Sequence, residues 1–309
     1  ANKGVPLDFS RHYNTQSKED FGMGVGWMYS FGDLLYKETP ASNDLTWLDS
    51  GGVRHLFKWD GTSRFVLPND LEGVLKFVNG GVESDTGAVS GWAELRFKST
   101  DGMEYHFGAI NTPEAGKTAV GRLSKVLDRN GNGVTIVYGD APRKIQTVSD
   151  VNDASRKLTF VYNANGISTV TRSTTANDPT SPVPTWTYSI APATSSLPRR
   201  LLSVTTPAAA ATTWGANPTA VELTGGLVTS YAYYEENLPW RGLIKKITER
   251  DGSWHEYEYY SNGRAFRVKQ GQFGQAANHP DVAVQTFNYN LFRNLTEFAD
   301  ERRNVETYI

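Results

Sequence analysis

The chain has 309 residues, 31 Lys and Arg against 33 Asp and Glu for a formal net charge of −2, and no cysteine. Near-neutrality argues against a basic nucleic-acid groove, which needs clustered cations to displace counterions from phosphates. Zero cysteine excludes disulfides, thiolate nucleophiles, iron–sulfur clusters and cysteine-bound zinc.

No stretch reaches the ~18 consecutive apolar residues of a membrane-spanning helix. The first thirty residues lack the basic, apolar and small-residue order of a secretory signal. Length alone gives a prior of about two domains of roughly 150 residues.

In chain order, the first clear element is a β-hairpin over 45–59, with Ser50-Gly51-Gly52 as its break. A second covers 94–107, where Leu95 and Phe97, then Tyr105 and Phe107, alternate with polar residues around Thr100-Asp101-Gly102. An Asp-Gly pair supplies the positive φ angles that a tight hairpin turn needs. The same pattern recurs at 244–259 around Asp251-Gly252. No window of a dozen residues keeps apolar positions at i, i+3, i+4 and i+7, so no helix is expected. The alanines at 208–211 are framed by Pro207, paired threonines and Gly215 and read as loop.

From about residue 121 a unit repeats: an opening like Gly-Arg-Leu, then Asp or Asn with Gly, then a strand ending on tyrosine. Gly121-Arg122-Leu123, Asp128-Arg129-Asn130-Gly131-Asn132 and 134–138 form the clearest copy. Later copies open at Lys144-Ile145, Gly166-Ile167, Leu201-Leu202, Gly242-Leu243, Gly263-Arg264 and 293–295. Their strand-ending tyrosines are Tyr138, Tyr162, Tyr188, Tyr233, Tyr259 and Tyr289, a base period of roughly two dozen residues stretched by insertions at 173–185 and 205–226. A single two-stranded unit cannot hide its apolar face, whereas stacked neighbours bury a continuous one. The fold expected is therefore mainly β, antiparallel hairpin repeats forming a continuous curved sheet.

These repeats, on Gly121-Arg122-Leu123, residues 128–132, Tyr138, Tyr257-Glu258-Tyr259 and Phe287-Asn288-Tyr289, resemble the YD-repeat or Rhs (rearrangement hotspot) family. Upstream, Pro6-Leu7, Phe9, Arg11, Tyr13-Asn14, Gly22, Gly24, Gly26-Trp27 and Ser30 resemble the conserved domain that precedes such repeats, so the likeness spans nearly the whole chain. The Tyr-Asp pair that names the family is degraded: Asn163 follows Tyr162, Tyr234 follows Tyr233, Tyr260 follows Tyr259 and Asn290 follows Tyr289.

The resemblance implies an amino-terminal conserved domain at 1–117 and YD-type repeats at 118–309, truncated within a repeat. It implies a large bacterial secreted or surface polypeptide whose repeats coil into a hollow shell. The partners it implies are the remaining repeats and an enclosed carboxy-terminal toxin domain, with any toxic activity lying outside this chain.

Several residue sets have both a functional and a plainer reading. Asp128, Asn130, Asn132 and Gly133 open like a calcium loop, but its twelfth position is Gly139 and a strand follows, so a hydrogen-bonded turn is preferred. The histidines at 12, 55, 106, 255 and 279 show no chelate spacing, and His106 and His255 read as cross-strand packing or solvent-facing strand positions. Glu235-Glu236 and Asp300-Glu301 could supply a glycosidase dyad only if assembled across strands. Trp47, Trp59, Trp92, Trp186, Trp214, Trp240 and Trp254 are read as core, with Trp214 and Trp240, in insertion-like loops, as possible stacking platforms for glycans.

The reading favoured is a non-enzymatic scaffold with no cofactor, no metal and no nucleic-acid partner. A surface adhesion or carbohydrate-binding module is the second reading, and a polysaccharide hydrolase or lyase the third.

Overall fold

The computed structural model describes residues 5–37, 39, 41–87, 93–108, 112–114, 117–139, 144–173, 183–207, 227–291, 294–302 and 304–308. Among these, every regular element is a β-strand and none is a helix. The chain divides into two compact units: Ala1–Asn14, Trp27–Val161 and Val170–Val183 form the first, and Thr15–Gly26, Tyr162–Thr169 and Pro184–Ile309 the second.

The first unit opens with β1 (Arg11–Tyr13) paired to β2 (Trp27–Tyr29). An antiparallel meander follows: β3 (Leu34–Lys37), β4 (Leu45–Leu48), β5 (Arg54–Trp59) and the short β6 (Phe65–Val66). Then come β7 (Gly73–Asn79), β8 (Val82–Ser84), β9 (Glu94–Ser99), β10 (Glu104–Gly108), β11 (Thr112–Glu114) and the long β12 (Lys117–Leu127). β12 serves two sheets. Its first half pairs with β3 through Leu35↔Gly121, and its second half with β10 through Tyr105↔Val126. Beyond it run β13 (Gly133–Tyr138), β14 (Ile145–Asp150) and β15 (Lys157–Asn163), each antiparallel to its predecessor. β15 and the next strand, β16 (Gly166–Arg172), contribute residues to both units.

The registers explain the core. Phe77, Leu95, Phe107 and Leu123 stand opposite one another across β7, β9, β10 and β12, while Leu35, Trp47 and His55 do so across β3, β4 and β5. Period-2 alternation aims each row at one face, and the rows meet around Trp47, whose ring lies 5.3 Å from Phe97, 5.1 Å from Tyr105 and 5.6 Å from Phe107. The two sheets therefore form a sandwich around an aromatic core, the arrangement in which flat rings bury most area per residue. Among the described residues no ladder joins β6 to β7 or β8, so these strands do not close into a barrel.

The second unit is a meander in which each strand pairs with the next: β17 (Thr185–Ala191), β18 (Arg200–Thr205), β19 (Val228–Tyr233), β20 (Ile244–Thr248), β21 (Trp254–Tyr259), β22 (Ala265–Gly271), β23 (Ala283–Tyr289), β24 (Leu295–Ala299) and β25 (Val305–Thr307). Residues 15–26 lie along it. The Ile167 N–H donates to the Gly22 carbonyl, the Val25 N–H to the Arg199 carbonyl, and Arg199 pairs with Asp20 at 2.8 Å. Asp20 also accepts from the N–H groups of Gly22 and Gly24. At Gly24, φ is +101° and a Cβ would stand 2.7 Å from the Arg199 carbonyl oxygen, so both conformation and space demand glycine.

Candidate functional site

The repeat-ending tyrosines complete a backbone hydrogen-bond account. In the first unit the β12–β13 ladder stops at Lys125↔Thr135, and the Tyr138 hydroxyl donates to the Leu123 carbonyl beyond it, at 2.8 Å. In the second unit the β18–β19 ladder stops at Ser203↔Ser230 and Tyr233 donates to the Leu201 carbonyl at 2.7 Å. The β20–β21 ladder stops at Lys246↔Glu256, and Tyr259 donates to the Ile244 carbonyl at 2.7 Å. On its other side each of these tyrosines follows a register shift and faces the first residue of the next strand: Tyr138↔Ile145, Tyr233↔Ile244, Tyr259↔Ala265. A bulge bends the strand away from one neighbour. The hydroxyl then supplies the donor that a buried carbonyl would otherwise lack.

Arginines at or just before the repeat openings stack on these rings: Arg122, Arg200 and Arg264 lie over Tyr138, Tyr233 and Tyr289 at 5.3, 5.7 and 5.2 Å. Tyr289 sits at the same kind of shift, facing Leu295. Tyr162 is half-buried and Tyr188 buried, but in β17 the shift falls between Ser189 and Ile190, so Ile190 faces Leu201 two residues past the tyrosine.

Aspartate and asparagine build the turns. Asp128 accepts from the N–H groups of Asn130 and Asn132, and the Gly131 N–H closes onto its carbonyl. Asp300 does the same for Arg302 and Asn304, while the N–H groups of Arg64, Thr62 and Ser63 hold the Asp60 carboxyl down at about 2. After Tyr162 and Tyr289, Asn163 accepts from the N–H groups of Asn165 and Gly166, and Asn290 from that of Asn294. Only a side-chain oxygen is used, which an amide supplies as well as a carboxylate. Among the described residues no group of three or more His, Asp or Glu side chains is placed to hold a metal ion.

A buried polar cluster in the first unit had no signature in the sequence. His55 faces the core beside Trp47, its Nδ1 2.7 Å from Asp70 and its Nε2 3.1 Å from Asp49. Asp33 is buried, accepts from the Trp47 indole N–H at 2.9 Å, and has its carboxyl pushed up to about 7 by burial, with the charge of Asp49 adding and the indole opposing. These acids come from separate segments, so only the folded sheets bring them together. His106 is also buried, between Glu94 at 3.1 Å and Glu104 at 3.3 Å, and burial holds it below the ordinary histidine range while the two carboxylates oppose the shift.

The remaining candidates scatter. Trp47 and Trp254 are buried, Trp59 packs edge-on to Phe65 at 5.0 Å, and Trp186 is half-buried. Trp240 lies in the turn before β20 with its ring 6.3 Å from Tyr234. Trp92 and Trp214, with the alanines at 208–211, fall outside the described residues. Glu235 pairs with Arg200 at 2.6 Å and Glu236 with Lys245 at 3.6 Å, so the two carboxylates go to different cations. Asp300 is committed to its turn and Glu301 lies 3.5 Å from the Gln285 amide.

No family model matches the chain, and no curated protein matches it. Among solved structures it is similar to a chain in the crystal structure of a TcdB2-TccC3-Cdc42 complex, with 9% sequence identity and a TM-score of 0.33; the match covers 86% of this chain and 13% of that one.

Proposed function

We propose that the chain is a non-enzymatic structural scaffold, the opening part of a β-repeat wall that encloses another part of its own polypeptide. The observation that carries this reading is the tyrosine brace: the same side chain, at the same kind of bulge, closes the same gap at Tyr138, Tyr233 and Tyr259. Such a brace makes each hairpin depend on its neighbours, which is how repeat proteins extend a surface. The polar side chains with catalytic potential support it too, since Glu235, Glu236, Asp300 and His106 are spent on ion pairs or turns.

Limited proteolysis of the full-length product of the reading frame tests the proposal. A carboxy-terminal domain resistant to protease in the intact protein, but rapidly digested when expressed alone, is the expected result. Equal digestion rates in the two settings overturn it.

A further inference from the structure

The His55 cluster has room for one proton more than a neutral histidine and two carboxylates bring to it. Both ring nitrogens face carboxylate oxygens, Nδ1 at 2.7 Å from Asp70 and Nε2 at 3.1 Å from Asp49. A neutral imidazole carries one N–H and one lone pair, so it donates to one acid and sets its lone pair against the other. The arrangement closes only when two protons are shared among the three groups, as an imidazolium donating to both acids or as a neutral ring beside one protonated acid. No lysine or arginine bonds either acid to relieve the contact in another way. On β4 the ring meets Trp47, and two further titratable groups, Asp33 and Tyr105, contact that indole rather than His55.

The two acids differ in what else holds them. Asp49 is fixed by its own turn, where the N–H groups of Gly51 and Val53 donate to Oδ1 at 2.9 and 2.8 Å. The Asp70 carboxylate, 53% exposed, bonds only His55. Asp70 lies in the connection between β6 and β7, where the Leu71 N–H closes onto the Pro68 carbonyl. On the β5 side this connection has little other hold, because β6 pairs with β5 only at Lys58↔Val66 and Trp59↔Phe65. The opposite edge of β5 is covered by β4 from Arg54 to Phe57.

We propose that His55 and Asp70 form a proton-set latch that pins the β6–β7 connection to the edge of β5 in mildly acidic solution and releases it as the solution turns alkaline. The second proton is bound in the latched form and absent from the released one, so latching is favoured as pH falls and lost as pH rises. When that proton leaves, one acid faces a bare lone pair; Asp49 stays with its turn, and Asp70 swings out. The edge of β5 beside His55 then loses its cover, and an uncovered strand edge is free to pair with another chain. His106 is bracketed by two acids as well, but these are Glu94 and Glu104 on β9 and β10, so its titration reads out in those strands.

Hydrogen exchange of the 309-residue chain at about pH 5.5 and about pH 8, across the range in which imidazoles titrate, tests the proposal once rates are corrected for the intrinsic pH dependence of exchange. Protection of the Leu71 amide and its neighbours at 67–72 is expected to fall about tenfold or more at the higher pH, the effect of losing one charge-assisted hydrogen bond, while β13 and β14 keep theirs. Asp70→Ala should show the low protection at both pH values. Asp70→Asn, whose amide donates to a bare ring nitrogen as readily as its oxygen accepts from an N–H, should show the high protection at both. Asp70 is exposed, so both variants should fold. Wild-type protection indifferent to pH, or a pH response that persists in Asp70→Ala or in Asp70→Asn, overturns the proposal.

Discussion

The two units solve the same problem, the burial of aromatic strands, in different ways. The first folds two sheets against each other, so that Trp47, Phe57, Phe77, Phe97 and Phe107 are all at least 95% buried. In the second, beyond residue 260, only Val282 among the described apolar side chains is buried, and Phe266, Val268, Phe287 and Phe298 are left half-exposed. A sandwich supplies its own core, whereas the later strands of the meander rely on ladder hydrogen bonds and on ring pairs such as Phe287 with Phe298 at 5.3 Å. Cohesion in one unit is a matter of volume, in the other of hydrogen-bond accounting.

Removing volume should hurt most. Trp47→Ala is expected to cost about 3–5 kcal/mol, and hydrogen exchange should show protection lost in β3–β10 while β19–β21 keep theirs. Loss of protection in both units together would show that they unfold as one, and would erase the contrast.

Asp33 offers the next largest effect. Its proton is held in the folded chain up to about pH 7, against 3.8 for an ordinary aspartate. The stability it contributes is present below about pH 4 and is lost as pH rises to about 7, a span worth on the order of 4 kcal/mol. Asp33→Asn should flatten that slope in urea-unfolding midpoints measured from pH 4 to 8, and an unchanged slope would place the titration elsewhere. His106 works in the opposite sense, because a depressed histidine contributes stability above its ordinary 6.5 that is lost as pH falls.

In the second unit, Tyr259→Phe keeps the ring and removes only the donor to Ile244, leaving a buried carbonyl unpaired at a cost of about 1–3 kcal/mol. A ring-deleting Tyr259→Ala no worse than Tyr259→Phe would show that the hydroxyl carries the whole contribution. Smallest of all, Asn163→Asp should change the melting temperature negligibly, within about 0.5 kcal/mol, because the turn uses only a side-chain oxygen. Asn163→Ala should be the more damaging change, and the reverse order would refute the oxygen-only account of this turn.

These contrasts follow what was legible in the sequence. The hairpins at 45–59, 94–107 and 244–259 appear where expected, because period-2 alternation and an Asp-Gly or Gly-Gly turn are local signals. β2 and β3 were not legible in the same way, since Trp27–Tyr29 and Leu34–Tyr36 are buried on both faces and alternation disappears. The tyrosine spacing was visible, but its reason was not: a hydroxyl completing a carbonyl beyond a bulge depends on register. The His55 cluster draws residues from separated turns, and only the assembled sheet makes them neighbours.

The two-sheet membership of β12 has a consequence for synthesis. Nearly every ladder joins strands close in the chain and can form as the chain emerges, but β3 must wait for residues 119–122 before its second edge is covered. Until then the most thoroughly apolar strands of the protein present an unpaired edge to other nascent chains, and closing so long a loop is slow.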